Sequence, residues 1–209
     1  MTRIILIRHG RTSWNESRRV QGGNNDTLLN PEGERQCRCL AERLKKEPVV
    51  AVYASPLSRA MGTAQLIADG HNLEVIQVPA LREIECGTME GAATKEIGSR
   101  LQLVLNGGNE EELLFKGCGG ESLDELRDRA WNAVLRMAEQ HPDLTVVAVS
   151  HYFVIAAILS AVMNLPATQL GRFRMGEATV SIVAFDAYGP YLSLFNDRCH
   201  LAVSSPGRR

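Results

Sequence analysis

The chain has 209 residues, of which 44% are hydrophobic and 22% are charged, and its formal net charge is −1. This composition is typical of a single soluble globular domain and excludes a chain that is disordered throughout. The near-neutral charge gives no reason to expect nucleic acid or a membrane surface as a partner. No apolar run approaches the roughly 18 residues that a membrane-spanning helix needs.

Five cysteines are scattered along the chain without a CxxC pair: Cys37, Cys39, Cys86, Cys118 and Cys199. Their odd number and their spacing favour neither a disulfide framework nor a zinc site. A reducing cytoplasm is therefore the simplest compartment for the protein. Near the start of the chain, residues 4–7 are apolar and Arg8 follows them. We expect this segment to form a buried strand and not a signal peptide.

In chain order, the predicted elements alternate between strands and helices. Short apolar runs predict strands at residues 4–7, 49–54, 73–78 and 144–149. Two helices are predicted from capping signals. One runs from Pro31, which follows an Asn30 N-cap, to about residue 46, and the other runs from a Ser122–Glu125 capping box to about residue 140. Further helices are predicted over 56–68, near 95–105 and over 153–163. Residues 180–185 and 191–196 flank a Tyr-Gly-Pro turn and predict a late hairpin.

This order of elements predicts the α/β class, with a three-layer α/β/α sandwich and a mainly parallel sheet that has one antiparallel strand. We expect a single domain over residues 1–203, with a small cap inserted at 88–119 and a flexible tail at 204–209. Ligands in such folds bind at the carboxyl ends of the strands, so these ends indicate where a functional site should lie.

Basic residues follow three of the predicted strands. Arg8, His9 and Gly10 follow the first strand, Arg59 lies soon after the second, and His151 follows the fourth. Cations that converge on one rim are typical of an anion site, and guanidinium groups hold phosphate oxygens in a bidentate way. We expect Gly10 to let the backbone turn sharply, so that amide N–H groups face the anion.

Seven segments of the chain resemble, in the same order, those of the histidine phosphatase superfamily, the phosphoglycerate mutase-like proteins. They are LIRHGRTSWN at residues 6–15, RRVQG at 18–22, LNPEG at 29–33, YASPLSRA at 53–60, LREIECGTMEG at 81–91, GES at 120–122 and VSH at 149–151. The resemblance covers nearly the whole chain and implies the phosphoglycerate mutase-like form of the sandwich.

The resemblance also implies a catalytic apparatus. His9 would be the nucleophile that forms a phosphohistidine. Arg8, Arg59 and His151 would hold the phosphate oxygens and stabilise the charge that develops on them. These groups would supply the positive charge that a metal ion provides in other phosphatases, so neither a metal ion nor another cofactor is expected.

An acid is needed for the leaving group, and the motif assigns this role to Glu83. The same carboxylate would then act as the base on the water that hydrolyses the phosphohistidine. Glu85 and Glu90 lie nearby in the sequence and compete for the role, and the motif favours Glu83.

Three further residues are expected to contact phosphate or substrate. The resemblance places Asn15 on the phosphate, with Gln21 and Gly22 near it. The chain departs from the family pattern at Arg11, where Glu or Ala is usual, and at Tyr152, where Gly is usual. The backbone N–H of Tyr152 would still face phosphate, and its ring either lines the pocket or points into the core.

Three functions are compatible with this sequence: a metal-independent phosphatase of small phosphorylated metabolites, a phosphoglycerate mutase, and a non-catalytic phosphate-binding protein. The family's mutases carry a large insertion and a basic motif near the acid segment. The stretch between Gly91 and Gly120 is short and contains few bases, which favours the phosphatase. A complete set of catalytic residues argues against the non-catalytic alternative.

The C-terminal residues 196–201 resemble the end of the family's metal-independent phosphoserine phosphatases. His200 would then help to recognise a substrate carboxylate, and L-phosphoserine is the leading candidate substrate. Broad-specificity, phosphoglycerate-type and α-ribazole phosphatases are the alternatives. The resemblance is also compatible with a homodimer.

Overall fold

Six strands form one sheet in the part of the chain that the computed structural model describes, which is residues 1–96, 98 and 115–202. The strands are β1 (Thr2–Arg8), β2 (Val49–Ala54), β3 (Val75–Gln77), β4 (Thr145–Ser150), β5 (Val180–Asp186) and β6 (Gly189–Asp197). Their spatial order is β3-β2-β4-β1-β5-β6. β5 runs antiparallel to both of its neighbours, whereas the pairs from β3 to β1 are parallel. The predicted mixed sheet is confirmed.

Helices cover both faces of this sheet. They are α1 (Ser13–Glu16), α2 (Pro31–Leu44), α3 (Ser58–Asp69), α4 (Leu123–Gln140), α5 (Tyr152–Val162) and α6 (Cys199–Ala202). On β1, Ile4 and Leu6 pack into a core with α4 and α5, while Ile5 and Ile7 pack into a second core with α2 and α3. The continuous apolar run of β1 is thus buried on both sides, which confirms the three-layer sandwich.

Capping signals in the sequence place the starts of two helices correctly. The Asn30 side chain accepts a hydrogen bond from the Gly33 N–H (2.8 Å) at the start of α2. Ser122 and Glu125 form the predicted capping box of α4. The helix predicted from residue 56 begins at Ser58, because Leu57 has an extended backbone. β3 is shorter than predicted, since the Leu73 N–H donates to the Ala68 carbonyl in the turn that ends α3.

Some of the predicted segments lie wholly or partly outside the described residues. The helix predicted near 95–105 lies mostly there, and so does the tail at 204–209. The cap at 88–119 is described only at 88–96, 98 and 115–119. The domain and cap boundaries therefore stay predictions. Within the described ranges, no helix is both long enough and apolar enough to span a membrane.

The register of the parallel strands sets the position of the site. Arg8 on β1 is paired with Ser150 on β4, and Ala54 on β2 is paired with Val149 on β4. The three strands therefore end at the same edge of the sheet. The residues that follow these ends, including His9 and His151, are brought together there.

Candidate active site

A cavity of about 330 Å³ opens at this edge of the sheet. One part of its wall is polar, and aromatic rings form another part. It is lined by Arg8, His9, Asn15, Arg18, Arg19, Val20, Gln21, Glu83, Thr94, Phe115, Tyr152, Phe153 and Glu177. Several residues that the sequence places far apart thus share one small space, which has the size of a site for a small molecule.

His9 is buried, with 3% of its surface exposed. Its Nδ1 lies 2.7 Å from the carbonyl oxygen of Gly10. A carbonyl only accepts hydrogen bonds, so Nδ1 carries the hydrogen and Nε2 keeps a lone pair. Burial, together with the nearby charges of Arg59 and Arg8, holds the pKa of His9 well below its ordinary value. The imidazole is therefore neutral and suited to act as a nucleophile.

The backbone N–H of Gly10 was expected to face the anion, and the structure shows a different role for this glycine. Its N–H donates to the Thr63 hydroxyl (3.2 Å), so this amide does not face the cavity. A Cβ at this position would lie 2.6 Å from the sulfur of Cys37 on α2. Glycine is needed here because α2 packs closely against the turn that holds His9.

Two guanidinium groups, of which Arg8 is partly buried and Arg59 is buried, lie near His9. Arg8 donates from Nη1 to the Met175 carbonyl (2.8 Å), and its Cζ lies 5.4 Å from the centroid of the Tyr152 ring. Arg59 is fully buried and donates to the Asn25 carbonyl (2.8 Å) and the Gly22 carbonyl (3.1 Å). Burial lowers the pKa of Arg59 to about 10, so the group remains a cation at neutral pH.

His151 is fully buried, and its ring centroid is 5.1 Å from that of His9. Its Nε2 lies 2.7 Å from the Ser55 hydroxyl, which itself accepts from the Leu57 N–H. A Ser55 hydroxyl that accepts from Leu57 can donate its own hydrogen to Nε2, and in that arrangement Nδ1 of His151 carries the ring hydrogen. Burial and the charge of Arg59 hold the pKa of His151 well below its ordinary value.

Four buried donors in this group have no hydrogen-bond partner among the described residues. They are Nε of Arg8, Nε of Arg59, Nε2 of Gln21 and Nδ1 of His151. Burying a donor without a partner is costly. A cluster of such donors around a neutral histidine therefore fits an anion with several acceptor oxygens, as a phosphoryl group has.

Thr12 orients the two amide side chains of the site. Its hydroxyl lies 3.0 Å from Oδ1 of Asn15 and 2.8 Å from Oε1 of Gln21. Thr12 and Asn15 also form the capping box of α1. The backbone N–H of Thr12 donates to Oδ1 of Asn15 (3.1 Å) and its hydroxyl donates to Oε1 of Gln21, so the NH₂ groups of Asn15 and Gln21 remain as donors in the cavity wall.

Glu83 lies in the same cavity and is 4% exposed. Its two carboxyl oxygens accept from the backbone N–H groups of Ile84 (2.9 Å) and Phe153 (3.2 Å). Burial raises the pKa of Glu83, although these two hydrogen bonds oppose the shift. A carboxyl group of this kind stays protonated to a higher pH than an ordinary glutamate, which suits a general acid.

The two competing glutamates lie elsewhere. Glu85 is exposed, and Glu90 accepts from the Gly22 N–H (2.8 Å). Gly22 is therefore occupied on both sides, by Glu90 at its N–H and by Arg59 at its carbonyl. The predicted contact of Gly22 with substrate stays a prediction, whereas the structure shows that it ties Arg59 to the loop.

The structure does not bring His200 together with these residues. Its Nδ1 lies 3.1 Å from Nη1 of Arg43, and its Nε2 lies 2.9 Å from the Ala178 carbonyl. The N–H of Ala178 in turn donates to the His9 carbonyl (3.1 Å). Both ring nitrogens of His200 are thus engaged within the protein, and its contact with a substrate carboxylate stays a prediction.

Sequence reasoning missed several residues of the site. Thr12 was not singled out, although its spacing to Asn15 is that of a capping box. Glu177, which lies 3.8 Å from Arg8 and 3.6 Å from Arg11, gives no sequence signal of its own. The sequence is compatible with a Tyr152 ring that lines the pocket or points into the core, and the structure places it on the cavity wall.

Comparisons with known proteins identify the family of the chain. The family model of the histidine phosphatase superfamily (branch 1) matches residues 4–198. A metal-independent phosphoserine phosphatase of Arabidopsis thaliana is 35% identical over 97% of this chain and 84% of its own length. A probable phosphoglycerate mutase GpmB of Cronobacter sakazakii is 33% identical over 92% of this chain and 89% of its own length.

Among solved structures, a phosphoserine phosphatase mutant of Entamoeba histolytica in complex with phosphoserine is similar to this chain. The TM-score is 0.85 at 30% identity, and the match covers 96% of this chain and 100% of the other. The agreement of family model, relatives and fold leads to one conclusion. The chain belongs to the histidine phosphatase superfamily, as an enzyme of the phosphatase type.

Proposed function

We propose that this chain is a metal-independent phosphomonoesterase that works through a phosphohistidine at His9, with L-phosphoserine as the leading candidate substrate. One observation carries the proposal. The neutral His9 presents the lone pair of Nε2 beside the unpartnered donors of Arg8, Arg59 and His151. This arrangement offers a nucleophile for phosphorus and fixed positive charge for the phosphate oxygens.

In the first step, the Nε2 lone pair of His9 forms a bond to phosphorus while the ester P–O bond breaks. The electron pair of that bond goes to the leaving oxygen, which takes the proton of Glu83 and departs as an alcohol. His9 becomes cationic, and its Nδ1–H is stabilised by the Gly10 carbonyl at 2.7 Å. Arg8 and Arg59 stabilise the charge on the equatorial oxygens.

In the second step, Glu83 is a carboxylate and takes a proton from water as the water oxygen attacks phosphorus. The P–N bond breaks, its electron pair returns to Nε2 of His9, and phosphate is released. The buried position of Glu83 suits both steps, because burial raises its pKa and so narrows the free-energy gap between its two protonation states.

Two observations support L-phosphoserine. Relatives named phosphoserine phosphatase match nearly all of the chain. The cavity also has charges of both signs, because Arg18 and Glu177 contribute to its wall. A zwitterionic leaving group such as serine would meet a cation with its carboxylate and an anion with its ammonium group.

A phosphoglycerate mutase is the second candidate, because a relative of similar identity bears the name of probable phosphoglycerate mutase. A mutase must return the phosphoryl group to a second hydroxyl of the bound substrate, whereas a phosphatase admits water to it. Broad-specificity, phosphoglycerate-type and α-ribazole phosphatases remain alternatives to the phosphoserine activity. A homodimer in the cytoplasm is part of the proposal.

The test is phosphate release from a panel of metabolites in excess EDTA, with His9→Ala as the blank. The panel contains L-phosphoserine, 3-phosphoglycerate, sugar phosphates and α-ribazole phosphate. A marked preference for L-phosphoserine is the expected result. Slow release from all of them, together with isomerisation of 3-phosphoglycerate, would replace the phosphatase by the mutase.

A further inference from the structure

The side chain of Arg129 on α4 makes a fully satisfied set of hydrogen bonds. Nε donates to Oε1 of Glu121 (2.5 Å), and Nη2 donates to Oε2 of Glu121 (2.7 Å) and to the Glu83 carbonyl (3.4 Å). Nη1 donates to the carbonyls of Ala80 (2.7 Å) and Arg82 (2.8 Å). A guanidinium has five N–H groups, and here each of them has an acceptor.

All three backbone acceptors belong to the segment that ends at Glu83. This segment follows β3 and carries the carboxyl group into the cavity. The Ser150 hydroxyl donates to the Leu81 carbonyl (2.8 Å) from the sheet side, so Arg129 and Ser150 fix neighbouring carbonyls from two elements. Because the segment lies beyond the end of β3, no strand pairing holds its backbone, and hydrogen bonds from side chains hold it instead.

Glu121 compensates the positive charge of Arg129 and also fixes the orientation of its guanidinium group. The Glu121–Arg129 pair is bidentate, and the two side chains are only 13% and 25% exposed. A bidentate pair fixes the plane of the guanidinium and neutralises its charge. The remaining N–H groups are thereby aimed at the backbone of the Glu83 segment.

We infer that Arg129, oriented by Glu121, is a positioning residue for the proton donor Glu83. It does not line the cavity, and its hydrogen bonds go to the Glu121 carboxylate and to backbone carbonyls. It acts by holding the backbone from which the Glu83 carboxyl reaches the leaving oxygen. This inference rests on the proposed function, since it requires Glu83 to be the acid.

The leaving group distinguishes this role from a merely structural one. Alkyl esters leave as poor alkoxides and need the proton, whereas p-nitrophenolate leaves without it. A misplaced acid therefore slows alkyl esters selectively, and displacements of about 1 Å in an active site cost roughly 100-fold. General loss of folded enzyme would lower both activities by the same factor.

The experiment compares kcat/KM for L-phosphoserine and for p-nitrophenyl phosphate; if the wild type does not hydrolyse L-phosphoserine, the alkyl phosphate that it hydrolyses fastest takes its place. The variants are Arg129→Met, Arg129→Lys, Glu121→Gln and Glu83→Gln. Arg127→Met is the matched control, because Arg127 lies on the same helix and pairs only with the exposed Asp124 and Asp128 among the described contacts.

Arg129→Met should lower the alkyl-to-aryl ratio by about 10- to 100-fold. Arg129→Lys should also lower it, because an ammonium has three donors and cannot reach all five acceptors. Glu121→Gln should act in the same direction, since it places an NH₂ group against the guanidinium. Arg127→Met should leave the ratio unchanged.

A double variant gives the sharpest readout. In the Glu83→Gln background, Arg129→Met should cause no further change in the ratio, because the group that it positions is gone. An equal loss on both substrates in every folded variant at 129 and 121 would overturn the inference while leaving Glu83 as the acid. A Glu83→Gln enzyme with an unchanged ratio would instead overturn the acid assignment in the proposed function.

Discussion

The rings of His9 and His151 lie side by side in the core of the site, with centroids 5.1 Å apart and an interplanar angle of 56°. Burial lowers the pKa of both, so two imidazoles remain neutral where two imidazolium ions would repel each other. Their hydrogen bonds separate them chemically. The Gly10 carbonyl leaves the lone pair on Nε2 of His9, whereas a Ser55 hydroxyl that donates to Nε2 of His151 leaves the N–H of that ring on Nδ1.

His9→Ala should reduce turnover of every phosphate ester below about 1% of the wild-type rate, because no other lone pair replaces Nε2. The measurement is phosphate release, together with acid-quench trapping of a phosphorylated enzyme from a ³²P-labelled ester. His71→Ala is a suitable control, because His71 lies in the turn that follows α3, where its backbone N–H donates to the Ala68 carbonyl. Retention of the trapped phosphoenzyme in His9→Ala would place the nucleophile elsewhere.

The pH dependence of kcat/KM for an alkyl ester should report Glu83 on its alkaline side. Burial raises the pKa of Glu83, and only the protonated form donates to the leaving oxygen. Activity should therefore persist above the usual range of a carboxylic acid and fall as the pH rises through the raised pKa. Glu83→Gln should remove this alkaline limb, and p-nitrophenyl phosphate should show little of it in the wild type. An alkaline limb that survives in Glu83→Gln belongs to another group.

The orientation of the amides by Thr12 predicts a loss of phosphate affinity in Thr12→Val. Valine keeps the shape and removes the hydroxyl, so the NH₂ group of Gln21 is no longer fixed toward the cavity, whereas Oδ1 of Asn15 still accepts from the backbone N–H of residue 12. We expect KM to rise by about 10-fold, which corresponds to roughly 1.4 kcal/mol. Thr12→Ser keeps the hydroxyl and should retain most of the affinity. Equal KM values in the two variants would show that the hydroxyl is not what orients the Gln21 amide.

Glu177 provides a test of the substrate itself. L-phosphoserine and 3-phosphoglycerate differ mainly in an ammonium group against a hydroxyl at the carbon next to the carboxylate. If Glu177 meets the ammonium group, Glu177→Gln should lower kcat/KM about 10-fold for L-phosphoserine and much less for 3-phosphoglycerate. A uniform change for both would mean that Glu177 serves only as a counter-ion of Arg8 and Arg11.

Those parts of the molecule that depend on short-range patterns could be predicted from the sequence. The strand at Val49–Ala54 and the capped helix at Leu123–Gln140 carry their signals within a few residues. The rim of cations was predictable for a related reason, because the register of parallel strands brings their ends together.

What escaped prediction depends on partners that are distant in sequence. Arg129 contacts carbonyls nearly 50 residues away, and His200 contacts Arg43 across 157 residues. Nothing local distinguishes these side chains from surface arginines or a surface histidine. Gly10 was singled out correctly from the sequence, but for a different reason. The glycine allows close packing against Cys37, and its N–H is bonded to Thr63 instead of facing the cavity.

The position of β1 between β4 and β5 has a consequence for the folding of the protein during its synthesis. β1 holds residues 2–8, yet its two neighbours are β4 at 145–150 and β5 at 180–186. During synthesis the strand that leads into His9, apolar on both faces, cannot pair until most of the chain has left the ribosome. Pairings of such sequence separation fold slowly. The nascent chain should therefore gain phosphate-binding activity late and in one step, and it should rely on chaperones to shield β1 until then.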